Sequence, residues 1–252
     1  MDIRDFDAWC RSFLGIEALS SIDDSLNGIQ VGTLRPIKKA AFAVDACAET
    51  MRRAAALGAD MLFVHHGLFW GRPERIEGPL LERLKILLGA ELGLYACHLP
   101  LDMHPEVGNN AVLANRLGLQ DRKPFGRYHG VDIGVSGRLP EALDLDEILD
   151  KILPGSGKPR AILPSGKARM KTVAIVSGGA PFESLQAIGK GIDLYITGEP
   201  SHSVYHLVVE SGLDFIAAGH YATEVWGVQA VAAKAASELG IEAEFIDLPT
   251  GL

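Results

Sequence analysis

Two patterns of apolar residues alternate along the chain. Short continuous apolar runs predict strands that are covered on both faces, as in a parallel sheet. Helically spaced apolar residues separate these runs, so the chain predicts βαβ units of an α/β protein. The predicted strands, in chain order, are 40–44, 60–66 (which ends in two histidines), 92–96, 131–139, 173–176, 194–197, the apolar run 215–218 and 243–246.

Helical spacing begins at once, because residues 2–20 alternate apolar and polar positions. Asn109 and Thr223 are predicted to cap two of the later helices at their N-termini. Residues 154–159 are rich in Pro, Gly and Lys and predict a loop. The later predicted helices are 48–57, 80–88, 109–117, 145–153, 182–188 and 225–239.

A polar stretch without clear period, residues 120–129, predicts a boundary between domains. We therefore expect two similar α/β lobes, residues 1–125 and 126–252, with mostly parallel sheets flanked by helices. Both halves follow the order strand, helix, strand and polar pair, which suggests a duplication. No residue-by-residue repeat is legible in the sequence.

Composition narrows the class of protein. The 252 residues are 48% hydrophobic and 22% charged, which is typical of a soluble globular chain. A net charge of -8 argues against general nucleic-acid binding, which depends on basic residues that neutralise phosphates. The chain shows neither the apolar run of a membrane span nor the start of a signal peptide. Its three scattered cysteines form no disulfide framework and predict a cytoplasmic protein.

Two further features have alternative explanations. Cys97 stands beside His98, as a catalytic thiol can, but its apolar strand favours a buried structural cysteine. The turn 177–179 (Ser-Gly-Gly) could bind an anion through backbone N–H groups. A tight turn from strand to helix is the explanation that we favour.

Residues that can bind metal follow the predicted strands in four places, where ligands collect in open α/β sheets. Each has a structural alternative, such as a buried histidine or a turn cap, but four together favour a metal site. Imidazoles and carboxylates without cysteine suit Zn, Fe, Mn or Mg, and their number suits two ions, which can activate a water for hydrolysis. The four sets are His65 with His66, His98 with Asp102, Glu199 with His202, and His220 with Glu224.

These segments resemble the NIF-three-like family, also called GTP cyclohydrolase 1 type 2, over nearly the whole chain. The histidine pair and the Gly-His-Tyr-x-Thr-Glu motif are specific, whereas the Gly-Glu pair alone is weak. The matching segments are Ser25 to Gly32, His65 to Phe69, His98 to Asp102, Gly108 to Asn110, Thr197 to Glu199, Ala218 to Glu224 and Asp247 to Pro249.

The resemblance implies a dinuclear site in the cleft between two lobes, holding two divalent ions (Zn, Fe or Mn), and a toroidal homohexamer. His98, Glu199 and His202 would line the pocket. The family pattern usually has Asn-Leu-Asp before the aspartate and Pro after the histidine pair, where this chain has 99–101 (Leu-Pro-Leu) and Gly67. The implied metal ligands are His65, His66, Asp102, His220 and Glu224.

For function, we expect a metal-dependent hydrolase that acts on a small nucleotide-like substrate, with Glu199 or His98 moving protons. Ring opening of GTP is the reaction that the family label implies. A dimetal phosphoesterase and a non-catalytic metal-binding protein, regulatory or scaffolding, are the alternatives. The chain lacks the long central insertion of some members, so it would be a compact form.

Overall fold

We describe a computed structural model of residues 1–153 and 157–252. The chain divides by contacts into two units. The first comprises 1–107 and 227–248, and the second comprises 108–226 and 249–252. Each unit contains one β-sheet with helices, which confirms the α/β class. The first three residues of the predicted loop 154–159 lie outside the described residues.

The helices account for most of the sequence-predicted helical segments. In the described residues, short 3-10 helices lie at Ile16–Leu19, Phe182–Ala187 and His202–Val204. Among the described residues, no helix has the length and apolar character needed to cross a membrane. The α-helices are α1 (Ile3–Leu14), α2 (Ala48–Ala56), α3 (Gly78–Gly89), α4 (Leu99–Met103), α5 (Asn109–Leu117), α6 (Leu145–Ile152), α7 (Tyr205–Glu210) and α8 (His220–Leu239).

The first unit's sheet has the strand order β1-β4-β3-β2-β11. Only β1 is antiparallel to its neighbour, so the expected mostly parallel sheet is found here. The apolar runs of β2, β3 and β4 are buried, as strands covered on both faces must be. These strands are β1 (Gly28–Val31), β2 (Lys39–Asp45), β3 (Met61–His66), β4 (Gly93–Ala96) and β11 (Glu242–Phe245).

The second unit's sheet has the order β5-β6-β8-β9-β10-β7. Only the pairs β8–β9 and β9–β10 are parallel, so a mostly parallel sheet is the wrong description of this unit. These strands are β5 (Gln120–Tyr128), β6 (Val131–Leu143), β7 (Ala161–Leu163), β8 (Met170–Ile175), β9 (Leu194–Thr197) and β10 (Asp214–Ala217).

The antiparallel pairing begins where the sequence predicted a domain boundary. Residues 120–129 form β5, which turns at His129 and Gly130 into its antiparallel partner β6. Most of β5 is exposed, so it lacks the apolar alternation that would have identified it. The contact units also differ from the predicted lobes 1–125 and 126–252, because α5 and β5 belong to the second unit and residues 227–248 belong to the first.

The helices differ from prediction in four places. The segment predicted as a helix at 182–188 is a 3-10 helix. The last helix begins at His220, so Thr223 lies inside its first turn and is not its N-cap. Gly108, not Asn109, is the N-cap of α5. The N-terminal helix ends at Leu14, because Gly15 adopts a left-handed conformation (φ 64°).

The two sheets repeat one arrangement of three parallel strands. Asp60 precedes β3, and its carboxylate accepts two backbone N–H groups at the beginning of β2, at 2.9 and 3.1 Å. Asp193 precedes β9 and accepts two N–H groups at the beginning of β8, both at 3.0 Å. When the two sheets are aligned on these aspartates, His65 and His66 at the end of β3 occupy the positions that Gly198 and Glu199 occupy after β9. The shared register supports the suspected duplication.

Candidate metal centre

The adjacent histidines lie at the end of β3. Neighbouring strand residues normally point to opposite faces, yet the rings of His65 and His66 lie 4.6 Å apart between centroids. His66 ends the strand, and the chain turns at Gly67. A Cβ at Gly67 would lie 2.3 Å from Nε2 of Gln30, whose Oε1 accepts the N–H of Leu68 at 2.6 Å. Gln30 therefore fills the space beside the turn.

Each histidine of the pair is held by what we call an outer partner, an acceptor bonded to its Nδ1. His65 donates from Nδ1 to the carbonyl oxygen of Cys97 at 2.9 Å. His66 donates from Nδ1 to Oδ1 of Asp45 at 2.8 Å. Because Nδ1 carries the proton in both bonds, Nε2 is the atom that can bind a metal. Burial raises the pKa of the Cys97 thiol well above its usual value, which fits the structural role predicted for it.

Asp102 lies close to the pair. It is buried in the short helix α4, and its Oδ2 lies 3.4 Å from Nε2 of His65. Pro100 stands at the beginning of that helix, where its missing N–H costs no hydrogen bond. Its two leucine neighbours are buried. Residues 99–101 (Leu-Pro-Leu) therefore form the first turn of α4, which places Asp102 beside His65.

His98 joins the histidine pair. Its ring centroid lies 5.1 Å from that of His65 and 5.7 Å from that of His66. Ligand atoms of the three imidazoles all lie within 4.8 Å of one another. The first unit thus brings His65, His66, His98 and Asp102 together, as their positions after strands predicted. The donor set of imidazoles and a carboxylate fits a divalent ion.

In the second unit, His220 lies between two carboxylates. Its Nδ1 donates to Oε1 of Glu199 at 2.6 Å, and its Nε2 lies 3.1 Å from Oε1 of Glu224, one helical turn further along α8. Burial alone would lower the pKa of His220, but the hydrogen bonds to Glu224 and Glu199 outweigh it and raise the pKa to about 9. These three predicted residues are therefore also brought together.

The turn 177–179 leaves space for the side chains of His220 and Glu224. Gly178 has a left-handed backbone (φ +68°), and a Cβ there would lie 2.4 Å from Oε1 of Glu224 and 3.3 Å from Nε2 of His220. The N–H of Gly178 donates to the Thr223 hydroxyl at 3.0 Å. Since that N–H is bonded inside the protein, the close-packed turn explains this motif better than an anion site does.

His202 stands apart from these groups. It is exposed at the beginning of the 3-10 helix His202–Val204, and none of the candidate metal groups in the described part of the chain includes it.

Sequence reasoning missed two outer partners, the carboxylates of Asp45 and Asp23, which accept from Nδ1 of His66 and of His98. Asp45 lies 21 residues before His66, and Asp23 lies 75 residues before His98. No local spacing links residues so far apart. Burial alone would raise the pKa of Asp23, but hydrogen bonds from His98 and its neighbours outweigh it and lower the pKa, so the carboxylate is ionised.

Comparison with known proteins identifies the family of this chain. The model of the family Duf34/NIF3 (NGG1p interacting factor 3) matches residues 1–250. The chain belongs to the DUF34/NIF3 family. An Archaeoglobus fulgidus protein named "GTP cyclohydrolase 1 type 2 homolog" is 46% identical to this member over 237 residues, which are 94% of this chain and 95% of the relative. A Deinococcus radiodurans protein of the same name is 44% identical over 97% of this chain and 92% of its own length.

Solved structures place this DUF34/NIF3 member in the same fold. The protein TTHA1606 from Thermus thermophilus is 40% identical, with a TM-score of 0.87 over 100% of both chains. The protein ybgI is 34% identical, with a TM-score of 0.91 over 100% of both chains. The fold expected from the family resemblance is therefore confirmed.

Proposed function

We propose that this protein binds two divalent metal ions, with Zn, Fe and Mn as the candidates. The observation that carries the proposal is the pair of hydrogen bonds that fix the imidazole rings of His65 and His66. Nδ1 of His65 and of His66 each donates to an outer partner, which makes Nε2 the nitrogen that binds metal, as in most histidine ligands. The proposed ligands are His65, His66, Asp102, His220 and Glu224.

We further propose that the bound ions serve hydrolysis of a small nucleotide-like substrate. Divalent ions of this class polarise a substrate oxygen and lower the pKa of water. The protein's own groups fix the donor atoms: the Asp45 carboxylate and the Cys97 carbonyl orient the histidine pair, and Glu199 holds His220. Support for the substrate class comes from relatives named "GTP cyclohydrolase 1 type 2 homolog".

Elemental analysis and turnover test the two parts separately. Protein purified without added metal or chelator should contain about two equivalents of Zn, Fe or Mn per chain. Metal-loaded protein should then hydrolyse a member of a panel of nucleotides and phosphoesters, and Asp102→Asn should abolish that activity. If the protein has full metal occupancy but hydrolyses no compound in the panel, the result favours the non-catalytic alternative. Absence of metal, with none taken up on titration, would reject the metal site itself.

The family resemblance also supports a homohexamer as the assembly. A particle mass about six times that of the 27.0 kDa chain is the expected result of light scattering. A mass near that of one chain would reject the hexamer and leave the metal proposal untouched.

A further inference from the structure

His98 is held in the same way as the two histidines beside it. Its Nδ1 donates to Oδ1 of Asp23 at 2.8 Å. Asp23 in turn is nearly inaccessible, with its side chain 1% exposed. The three neighbouring imidazoles of the first unit therefore all have Nδ1 on an outer partner, so that Nε2 is the nitrogen that can bind an ion. Such an arrangement is typical of histidines that bind metal.

Further hydrogen bonds fix the Asp23 carboxylate in place. Oδ1 also accepts the N–H of Ser25 at 3.0 Å. Oδ2 accepts the side-chain amide of Asn27 at 2.8 Å and the N–H of Leu99 at 3.0 Å. Asn27 also binds the backbone N–H of His98, through its Oδ1 at 2.8 Å. The loop before β1 thus holds both the backbone and the ring of His98.

Packing restricts the other side of the ring. Trp70 meets His98 edge to face, with 4.9 Å between ring centroids, and its indole N–H donates to the carbonyl of Gly67 at 3.1 Å. His98 remains 22% exposed, so its ring is accessible to a small ligand. A carboxylate on Nδ1 and a tryptophan on the ring leave the imidazole little freedom to rotate.

Distances allow His98 to share an ion with its neighbours. An imidazole nitrogen lies about 2.0–2.1 Å from a bound zinc, so two nitrogens on one ion are at most about 4.2 Å apart. The ligand atoms of His65, His66 and His98 are within 4.8 Å of one another, which is a small side-chain adjustment from that limit.

We propose that His98 is itself a metal ligand, a third imidazole of the first unit, and that Asp23 is its positioning residue. This inference rests on the proposed function only for the presence of a divalent ion. It adds a sixth ligand to the five proposed above and replaces the proton-moving role expected of His98. Asp23 acts by keeping the proton on Nδ1, so that the lone pair of Nε2 is directed away from the carboxylate.

Proton NMR of the Co²⁺-loaded protein tests the proposal without any substrate. A histidine bound to Co²⁺ through Nε2 keeps its Nδ1–H, whose signal is shifted far outside the ordinary range by the unpaired electrons. His98→Gln should remove one such exchangeable signal and weaken Co²⁺ binding about tenfold or more. His206→Gln, a change at an exposed histidine of α7, should remove none and leave the affinity unchanged.

Asp23→Asn provides the second variant. Weakening the bond on Nδ1 should move the signal assigned to His98 and lower Co²⁺ affinity by about 10- to 100-fold, the usual effect of losing an outer partner. The variant's thermal unfolding without metal must match that of the parent protein, because Asp23 also accepts bonds within its loop. If it does not match, His98→Gln alone decides.

Two other results separate this inference from the proposed function. All shifted signals could survive in His98→Gln with an unchanged Co²⁺ affinity. His98 would then not be a ligand, and it would return to the proton-moving role while the five-ligand site stands. If the parent protein itself takes up no Co²⁺, the proposed metal site fails, and this inference fails with it.

Discussion

Glu199 accepts a hydrogen bond of 2.6 Å from Nδ1 of His220. From the sequence we expect Glu199 or His98 to move protons, and the family resemblance implies that Glu199 lines the pocket. Its observed bond instead matches that of Asp45 to His66 and of Asp23 to His98. We therefore expect Glu199 to act through His220, by orienting its ring and raising the basicity of Nε2.

Glu199→Gln tests this role. The neutral amide binds Nδ1 less strongly than a carboxylate does, so metal affinity should fall by about 10- to 100-fold. The measurement is competition of Zn²⁺ between the protein and a chelating dye. Glu210→Gln changes an exposed glutamate of the same unit and should leave the affinity unchanged. An unaltered affinity in Glu199→Gln, with turnover lost, would instead support the proton-moving role.

The sequence predicts the candidate metal ligands better than their outer partners, because each outer partner lies far along the chain from its histidine. His65, His66, Asp102, His220 and Glu224 belong to segments that follow apolar runs, and the family resemblance singles these five out as ligands. Their outer partners are not recognisable, since strand order and register bring them close, and neither can be read from local spacing. A similar limit applies to the fold. Strands buried on both faces are evident as apolar runs, whereas the exposed β5 carries no pattern that distinguishes it from a linker.

Gly178→Ala should remove metal binding through a steric effect. The new Cβ would lie 2.4 Å from Oε1 of Glu224, so the carboxylate would have to move away from His220. The left-handed backbone adds about 1–2 kcal/mol of strain to the folded state. Gly191→Ala is the matched control, because Gly191 has a similar φ of +72° but no atom within 4 Å of its Cβ.

Both glycine variants should lose about the same free energy of unfolding to backbone strain, measured by urea titration. Only Gly178→Ala should also lose bound metal, measured by elemental analysis after dialysis. Equal metal content in the two variants would show that the turn 177–179 does not restrict the ligands of the second unit.

The last prediction concerns Asp193 and the stability of the second unit's parallel strands. Burial alone would raise its pKa, but bonds from the N–H groups of Lys171 and Thr172 and from the Lys167 ammonium outweigh it and lower the pKa from 3.8 to about 2. A carboxyl whose pKa is lower in the folded state stabilises the protein above its unfolded pKa, and this contribution is lost as the pH falls. The contribution should therefore be complete above about pH 5 and should disappear between about pH 4 and 2.

Asp193→Asn should consequently lower the free energy of unfolding by about 1 kcal/mol at pH 7, a value below the full shift because the group is partly exposed to solvent. The difference from the parent protein should shrink as the pH falls from 4 towards 2, where the parent carboxyl is itself protonated. Urea titrations at several pH values measure it. Asp150→Asn, at an exposed position of α6, should show no such pH-dependent difference. A constant difference across this range would mean that Asp193 stabilises the strands by its shape and not by its charge.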